Sequence, residues 1–211
     1  MANSNGAFGL RPIGVVGQAA NTTGATEYRI ASGNTNAIYQ GSPVIPLSTG
    51  FIDIVGAAAG GTVGLLGVFW GCEYVSSTTG ETIFSNSWPG SGADSNHPVK
   101  AFVYDNPMQT YVIFSDASLT NEATARGHVF ANANFAAGTS GSSTTGISSA
   151  KLGVSTIAAT AALQLRIMGI QNDPDNADFT AAGIPLIVRL NNSFNSANGA
   201  IAAGTPSTTG V

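Results

Sequence analysis

Short runs along most of the chain alternate hydrophobic with polar residues. In two of them, at 163–167 and 186–190, leucine, isoleucine and valine occupy every second position, with Arg166 and Arg189 among the residues between them. A period of two predicts strands that bury one face, and here each opposite face carries one arginine. Other β-branched and aromatic runs predict strands at 27–30, 44–47, 51–55, 63–74, 99–104 and 110–116.

Turn-forming residues separate these runs, as is typical of an all-β sandwich or barrel. The five residues 105–109 join the strands at 99–104 and 110–116, which predicts a hairpin within a meander. One short helix is predicted, ending at Arg126, with Thr120 or Asn121 as its N-cap and Gly127 as its stop. The predicted fold class is therefore all-β, a β-sandwich or barrel-like domain with extended N- and C-terminal arms and little helix.

Three segments are expected to lie outside the core of a β-rich domain at 13–192. They are an N-terminal arm at 1–12, a Gly/Ser/Thr-rich loop near 136–149 and a low-complexity C-terminal tail at 193–211. The tail has no charge and too little apolar surface to fold alone. The arm combines two large apolar side chains, Phe8 and Leu10, with Arg11 and flexible glycines, so these three residues are candidate contacts with a partner surface.

Charged residues are scarce. The chain has 7 Lys+Arg and 11 Asp+Glu, or 9%, against about 25% in an ordinary domain. Neutral polar side chains solvate the surface instead, with 21 Ser, 21 Thr and 17 Asn. A net charge of −4 gives weak protection against association, which favours a protein that works in an assembly. Seven cations scattered along an acidic chain predict no nucleic-acid partner.

The sequence offers no leader or membrane anchor that we can recognise. Residues 1–12 lack the basic and apolar regions of a signal peptide, and no run of about 18 apolar residues is present. We therefore expect synthesis in the cytoplasm and no membrane partner. The single cysteine, Cys72, excludes an internal disulfide and lies in an apolar run, where a buried, unreactive thiol is expected.

Candidate chemistry is weak, and neither a catalytic residue nor a cofactor is predicted. The two histidines, His97 and His128, are expected in a surface loop and at a strand edge. The best metal candidate is the carboxylate group of Asp173, Asp175 and Asp178, since clustered carboxylates suit calcium. Asp-Pro and Asp-Asn also form ordinary turns, so a turn is the favoured interpretation and a cation site the alternative.

The aromatic residues are expected mainly in the core or at a subunit interface, and the alternative is a solvent-facing platform for sugars. Trp88, which lies in a Ser-Trp-Pro-Gly stretch, is the least core-like of them. The residues considered are Phe69, Trp70, Tyr74, Trp88, Tyr104 and Tyr111.

Several motifs, spread in order over about residues 5 to 192, resemble those of cement or decoration proteins from the heads of tailed bacteriophages. They are Ala7-Phe8-Gly9-Leu10-Arg11-Pro12, Leu66-Gly67-Val68-Phe69-Trp70-Gly71, Leu163-Gln164-Leu165-Arg166-Ile167-Met168-Gly169, Pro174-Asp175-Asn176 and Val188-Arg189-Leu190-Asn191-Asn192.

This resemblance implies a structural virion protein that binds the outer surface of the shell formed by the major capsid protein and stabilises it. It also implies a homo-oligomer, for which we favour a trimer over a dimer. Phe8, Leu10 and Arg11 become the candidate capsid contacts. The alternative is a tail-spike or fibre-type domain that binds host glycans, and an enzyme is the least favoured class because no pair of carboxylates is evident in the sequence.

Overall fold

The computed structural model describes residues 3, 6–17, 24–56 and 64–196. Strands make up 41% and helices 7%, which confirms the all-β prediction with little helix. The elements are β1 Arg11–Val15, β2 Thr26–Ile30, β3 Pro43–Pro46, β4 Ile52–Ile54, β5 Gly67–Val75, β6 Thr82–Ser85, β7 Val99–Tyr104, β8 Gln109–Phe114, α1 Glu122–Gly127, β9 Asn132–Ala133, β10 Phe135–Ala136, β11 Gly141–Ser142, β12 Ile147–Ser148, β13 Lys151–Leu152, β14 Leu165–Ile170 and β15 Pro185–Leu190.

The strands form two main antiparallel sheets. The five-stranded sheet has the order β1-β8-β15-β14-β9. The six-stranded sheet has the order β2-β7-β5-β3-β4, and β6 pairs with β5 beside this path. Two short ladders, β10 with β13 and β11 with β12, complete the structure.

The six-stranded sheet curls towards a barrel, because its outer strands β2 and β4 approach each other. Side-chain hydrogen bonds hold the two ends together. Asp53 of β4 accepts 2.9 Å hydrogen bonds from the Nδ2 atoms of Asn34 and Asn36, which follow β2. The fold therefore combines the two predicted forms, with a barrel-like sheet that packs against a second sheet as in a sandwich.

The two sheets share one core, and the curled sheet encloses another. The barrel interior contains Phe69, Trp88 and the inward-facing residues of β7. The second core lies between the sheets, where Ile45 and Val68 of the six-stranded sheet pack against Tyr111 and Val188 of the five-stranded one. Each core buries the apolar half of an alternating pattern, which explains why the strand positions follow from the sequence.

The predicted hairpin between 99–104 and 110–116 is wrong, although both strands exist. β7 pairs with β2 and β5 in the six-stranded sheet, whereas β8 pairs with β1 and β15 in the five-stranded sheet. The turn residues at 105–108 therefore carry the chain from one sheet to the other. The burial patterns give the physical reason, since β7 buries alternate residues while β8 buries residues on both of its faces.

The single predicted α-helix is confirmed. Asn121 is the N-cap, and its Oδ1 atom accepts a 2.8 Å hydrogen bond from the backbone N–H of Thr124. The helix ends at Gly127, and His128 follows as the C-cap rather than as a strand-edge residue. No helix in the part of the chain that the structure describes is long and apolar enough to cross a membrane.

Trp88 corrects another expectation, because its side chain is fully buried in the barrel interior. Its indole N–H donates to the carbonyl of Asn34 at 3.2 Å, and its ring meets Tyr74 edge-on at 5.4 Å. The turn that follows depends on Gly90, which has a φ of 83° and passes so close to the Thr35 carbonyl that a Cβ atom would lie 2.6 Å from it. The turn residues thus fold the ring inwards.

The three segments expected outside the core are more ordered than composition suggested, as far as they are described. Strands β11 and β12 lie within 136–149, and Ser148 is fully buried there. Tail residue Phe194 donates its backbone N–H to Leu65 at 2.8 Å. Residues 1, 2, 4, 5 and 197–211 of the predicted arms lie outside the described residues.

Candidate binding surface on the five-stranded sheet

The carboxylates of the candidate metal loop are engaged in local hydrogen bonds. Asp173 accepts one from the backbone N–H of Asp175 at 3.1 Å and one from Asn176 Nδ2 at 2.7 Å. Asp178 accepts from both the hydroxyl and the backbone N–H of Thr180, and these bonds lower the pKa of Asp178. The geometry is that of a capped turn. No group of three or more His, Cys, Asp or Glu side chains that could hold a metal ion occurs among the described residues.

The side chains considered for nucleophilic chemistry are dispersed. Cys72 is buried in the barrel interior, and this burial raises the pKa of its thiol to about 12. His97 is exposed and lies 3.1 Å from Asp94, while His128 caps α1. A thiol held in its protonated form is a poor nucleophile, so Cys72 acts as a small core residue.

The outer face of the five-stranded sheet, which points away from the six-stranded sheet, is the most distinctive surface. Strand register places Val112 beside Ile187, and Phe114 beside Pro185, on this face. Ile13 lies at a bulge of the edge strand β1 and is 46% exposed. Val112, Phe114 and Pro185 are themselves buried, while Ile187 is partly exposed, so Ile13 and Ile187 form the apolar surface on these strands.

Phe8 and Arg11, two of the candidate capsid contacts, lie on this outer face. The ring of Phe8 meets Phe114 at 4.6 Å, and the guanidinium group of Arg11 sits 4.5 Å above the Phe8 ring. Together with Ile13 they line a cleft of about 200 Å³. Both side chains are therefore positioned by the folded sheet rather than by a loose arm.

Leu10 is in a different position, and the prediction that it contacts a partner is wrong for this conformation. Its side chain is 0% exposed and belongs to the core between the sheets. Its backbone N–H donates to the Gly41 carbonyl at 2.9 Å. Alternation explains the difference, because Leu10 points inwards where its neighbour Arg11, the first residue of β1, points outwards.

A polar row crosses the same outer face beside the apolar surface. The strand register aligns Gly14, Thr110, Arg189, Arg166 and Asn132 on five successive strands. Arg166 donates its Nε–H to Asn132 at 3.1 Å, and Arg189 contacts the sulfur of Met108 at 3.7 Å. With Arg11, the outer face therefore carries three of the seven cationic side chains of the protein.

Exposed apolar side chains are concentrated on this sheet. Of the four large hydrophobic residues that are exposed in the described ranges, Ile13 and Met108 belong to the outer face, and Phe130 lies beside β14 at the far edge. Phe130 also adopts a φ of 74°, an uncommon conformation for a residue with a side chain. The fourth, Phe84, lies on β6 of the other sheet.

The six-stranded sheet presents a second, aromatic surface on the outside of the barrel. Phe102 and Tyr104 project from the same side of β7, and Trp70 meets Tyr104 edge-on at 5.4 Å. Phe84, 74% exposed, extends this side on β6. The charges between these rings are balanced, because Lys100 donates to Glu73 at 3.0 Å.

Comparisons of the chain with protein-family models, with curated proteins and with solved structures find no match. Sequence alternation indicated that Arg166 and Arg189 lie on the exposed faces of two strands. It did not indicate that these strands are neighbours in register, because strand partners are not encoded in a period of two.

Proposed function

We propose that this protein is a structural component of a tailed-phage virion, a cement or decoration protein that binds the outer surface of the capsid shell and stabilises it. The observation that carries the proposal is the outer face of the five-stranded sheet, where apolar side chains remain exposed next to two aligned arginines. Such a patch marks an interaction surface more often than an ordinary solvated face. The resemblance of the sequence motifs to head proteins supplies the identity of the partner.

The energetics suit a protein that binds in many copies. Ile13 and Met108 are about half exposed, so burying the remainder of each contributes about 1 kcal/mol. One such contact is weak, whereas identical contacts repeated over a shell and within an oligomer act together. The proposal therefore includes self-association, with a trimer favoured over a dimer, and no nucleic-acid, membrane or cofactor partner and no catalytic role.

Binding to empty shells tests this proposal. The intact protein is mixed with shells of the major capsid protein, and bound protein is measured after sedimentation. We expect Ile13→Ser/Met108→Ser to bind with at least about tenfold lower affinity, because two apolar contacts are lost and two hydroxyls are buried. The matched control is Phe84→Ser, which removes a large exposed apolar side chain from the other sheet and should bind normally.

Two results decide the outcome. If the intact protein does not sediment with shells, the cement proposal is wrong. If both variants bind as well as the intact protein, the shell is bound by another surface. The mass of the isolated protein in solution tests the oligomer, since a trimer suits a threefold position on a shell.

A second candidate function is supported by the aromatic surface around Trp70, Phe84 and Phe102. Aromatic faces at a sheet surface are suited to sugar rings, so a fibre-type domain that binds host glycans is the alternative. A glycan array distinguishes the two. Saturable glycan binding that Phe84→Ser weakens, without any shell binding, would replace the cement proposal by this one.

A further inference from the structure

We propose that Arg166 and Arg189 form a receptor for a carboxylate, carried by an apolar segment of the protein partner that docks on the outer face of the five-stranded sheet. The inference rests on the proposed function and deepens it, because it names the chemistry by which this face recognises a partner. It concerns the only directly opposed arginine pair in the ladders of the described residues.

The strand register places Arg166 of β14 directly opposite Arg189 of β15. Residues in that relation have Cβ atoms about 5 Å apart, and two like charges there destabilise the sheet. None of the ion pairs formed by the described residues involves Arg11, Arg166 or Arg189. The sheet thus holds two cations together without a carboxylate between them.

The two arginines have more hydrogen-bond donors than the sheet uses. Each guanidinium group has five N–H donors. Arg166 uses its Nε–H on Asn132, and Arg189 directs one Nη1 donor to the Met108 sulfur, a weak acceptor. The Nε atom of Arg189 is buried and has no partner within the described residues. A buried donor without a partner is costly, so an acceptor that reaches it gains more than it would on an open surface.

The geometry of the two guanidinium groups and their surroundings favour a protein carboxylate over a phosphate backbone. A carboxylate matches the planar fork of a guanidinium group and can accept two parallel hydrogen bonds. Thr110 and Asn132 flank the pair within its own row, and apolar side chains lie beside it, with Met108 against Arg189 and the Val112–Ile187 pair in the neighbouring row. Nucleic acid needs an extended cationic track, whereas this face carries three arginines on an acidic protein. An Asp or Glu flanked by apolar side chains fits both properties.

Shell binding by charge-matched variants tests the inference. Arg166→Gln/Arg189→Gln removes the receptor, and Arg29→Gln/Arg126→Gln removes the same two charges from an exposed position of β2 and from α1. We expect the first variant to bind shells about tenfold or more weakly and the second to bind within about twofold of the intact protein. Equal binding by both variants would overturn the inference while leaving the cement function intact.

A peptide titration gives an answer that does not depend on shells. The probes are an alternating Glu-Val octapeptide, its Gln-Val counterpart, inorganic phosphate and a short single-stranded oligonucleotide, and the readout is the NMR signals of the Arg166 and Arg189 Nε–H groups. We expect the Glu-Val peptide alone to shift both signals saturably. A response to the Gln-Val peptide of equal size, no response to Glu-Val, or tighter binding of phosphate or the oligonucleotide would each contradict a carboxylate receptor.

Discussion

The outer faces of the two sheets differ in whether their cationic side chains have a carboxylate partner. On the six-stranded sheet, Lys100 lies between Arg29 and Glu73 in the strand register, and its ammonium group is 3.0 Å from the Glu73 carboxylate. This hydrogen bond raises the pKa of Lys100. On the five-stranded sheet, Arg166 faces Arg189 with no carboxylate in the row. Arg29 also faces Lys100, so each row holds an opposed pair of cations, but only the row of the six-stranded sheet supplies a carboxylate to one of them.

The difference indicates which face gains from a partner. Lys100 already has a carboxylate partner within its own sheet, so covering this ion pair removes water from charges that gain little in return. The arginine row has repulsion to relieve and donors to satisfy, and exposed apolar side chains lie beside it. A partner that supplies a carboxylate therefore stabilises the five-stranded sheet more than the six-stranded one.

The largest loss of stability is expected from Leu10→Ala, which loosens the packing of the chain that leads into β1, the edge strand of the five-stranded sheet. Leu10 is fully buried between the sheets, so the change removes core contacts and leaves a cavity. We expect the free energy of unfolding to fall by about 2–5 kcal/mol in urea denaturation. The control is Ile13→Ala, which is about half exposed and should cost under about 1.5 kcal/mol. Similar losses for both variants would contradict the placement of Leu10 in the core.

The sequence predicted the positions of the strands and the helix better than it predicted which strands pair with each other. Alternation located the strand at 186–190, and β-branched and aromatic residues located those at 99–104 and 110–116, because all three contribute buried side chains to the cores. The same pattern could not place β7 and β8 in different sheets, since a turn sequence defines where the chain bends and not what lies beside it. The helix was predictable because its N-cap and stop are local signals.

The candidate site was predictable in part. Phe8 and Arg11 were selected as contact residues and do lie on the candidate surface, but Leu10 was grouped with them although alternation places it inwards. Trp88 was named as the least core-like aromatic residue because its neighbours form turns, yet its side chain is buried in the barrel interior. The arginine row depends on register between strands and has no local signal.

Alkaline pH should destabilise the protein through groups in the barrel, and burial raises the pKa of Tyr111 between the sheets as well. Burial raises the pKa of Cys72 from 9.0 to about 12, and burial together with Asp105 raises that of Tyr28 from 10.0 to about 12. The folded state therefore holds these protons above pH 9 where the unfolded chain releases them, and stability falls as pH rises from about 9 towards 12. The cysteine contributes at most about 1.4 kcal/mol per pH unit in that window.

Urea midpoints between pH 8 and 10.5 measure this effect. Cys72→Ala should show a smaller loss over that interval than the parent protein, whatever its stability at pH 8. The thiol should react with a disulfide reagent on unfolding and remain unreactive in the native state, because it is both buried and protonated. Rapid labelling of the folded protein would contradict this account of Cys72.

Arg166→Glu gives the five-stranded sheet a cation–carboxylate pair like that of Lys100 and Glu73 on the other sheet. The new carboxylate would face Arg189 directly, so cross-strand repulsion is replaced by attraction. Arg166→Glu and Arg166→Gln both lose the hydrogen bond to Asn132, so their difference isolates the charge effect. We expect Arg166→Glu to be more stable than Arg166→Gln by about 0.2–1 kcal/mol at low salt and by less at high salt, as thermal unfolding would show. Arg166→Glu should also bind shells more weakly than Arg166→Gln, because it would repel the carboxylate proposed on the partner. Equal stability of the two variants at low salt would show that the arginine pair is not repulsive.

The smallest effect is expected from Glu73→Gln, which removes the balancing carboxylate from the six-stranded sheet. Both side chains of this ion pair are partly exposed, so its contribution is small and screened by salt. The variant should lose stability below about pH 10, where Lys100 is charged in both the folded and the unfolded protein. This loss should vanish as the pH rises through the raised pKa of Lys100 in the folded protein. The substitution should lower that pKa, which NMR titration of the Lys100 side chain measures directly. Shell binding should not change, because Glu73 lies on the six-stranded sheet and not on the face proposed to bind the shell. If Glu73→Gln weakened shell binding as much as Arg166→Gln/Arg189→Gln does, the two faces would not differ in function, and the contrast in their charges would have to be explained by folding alone.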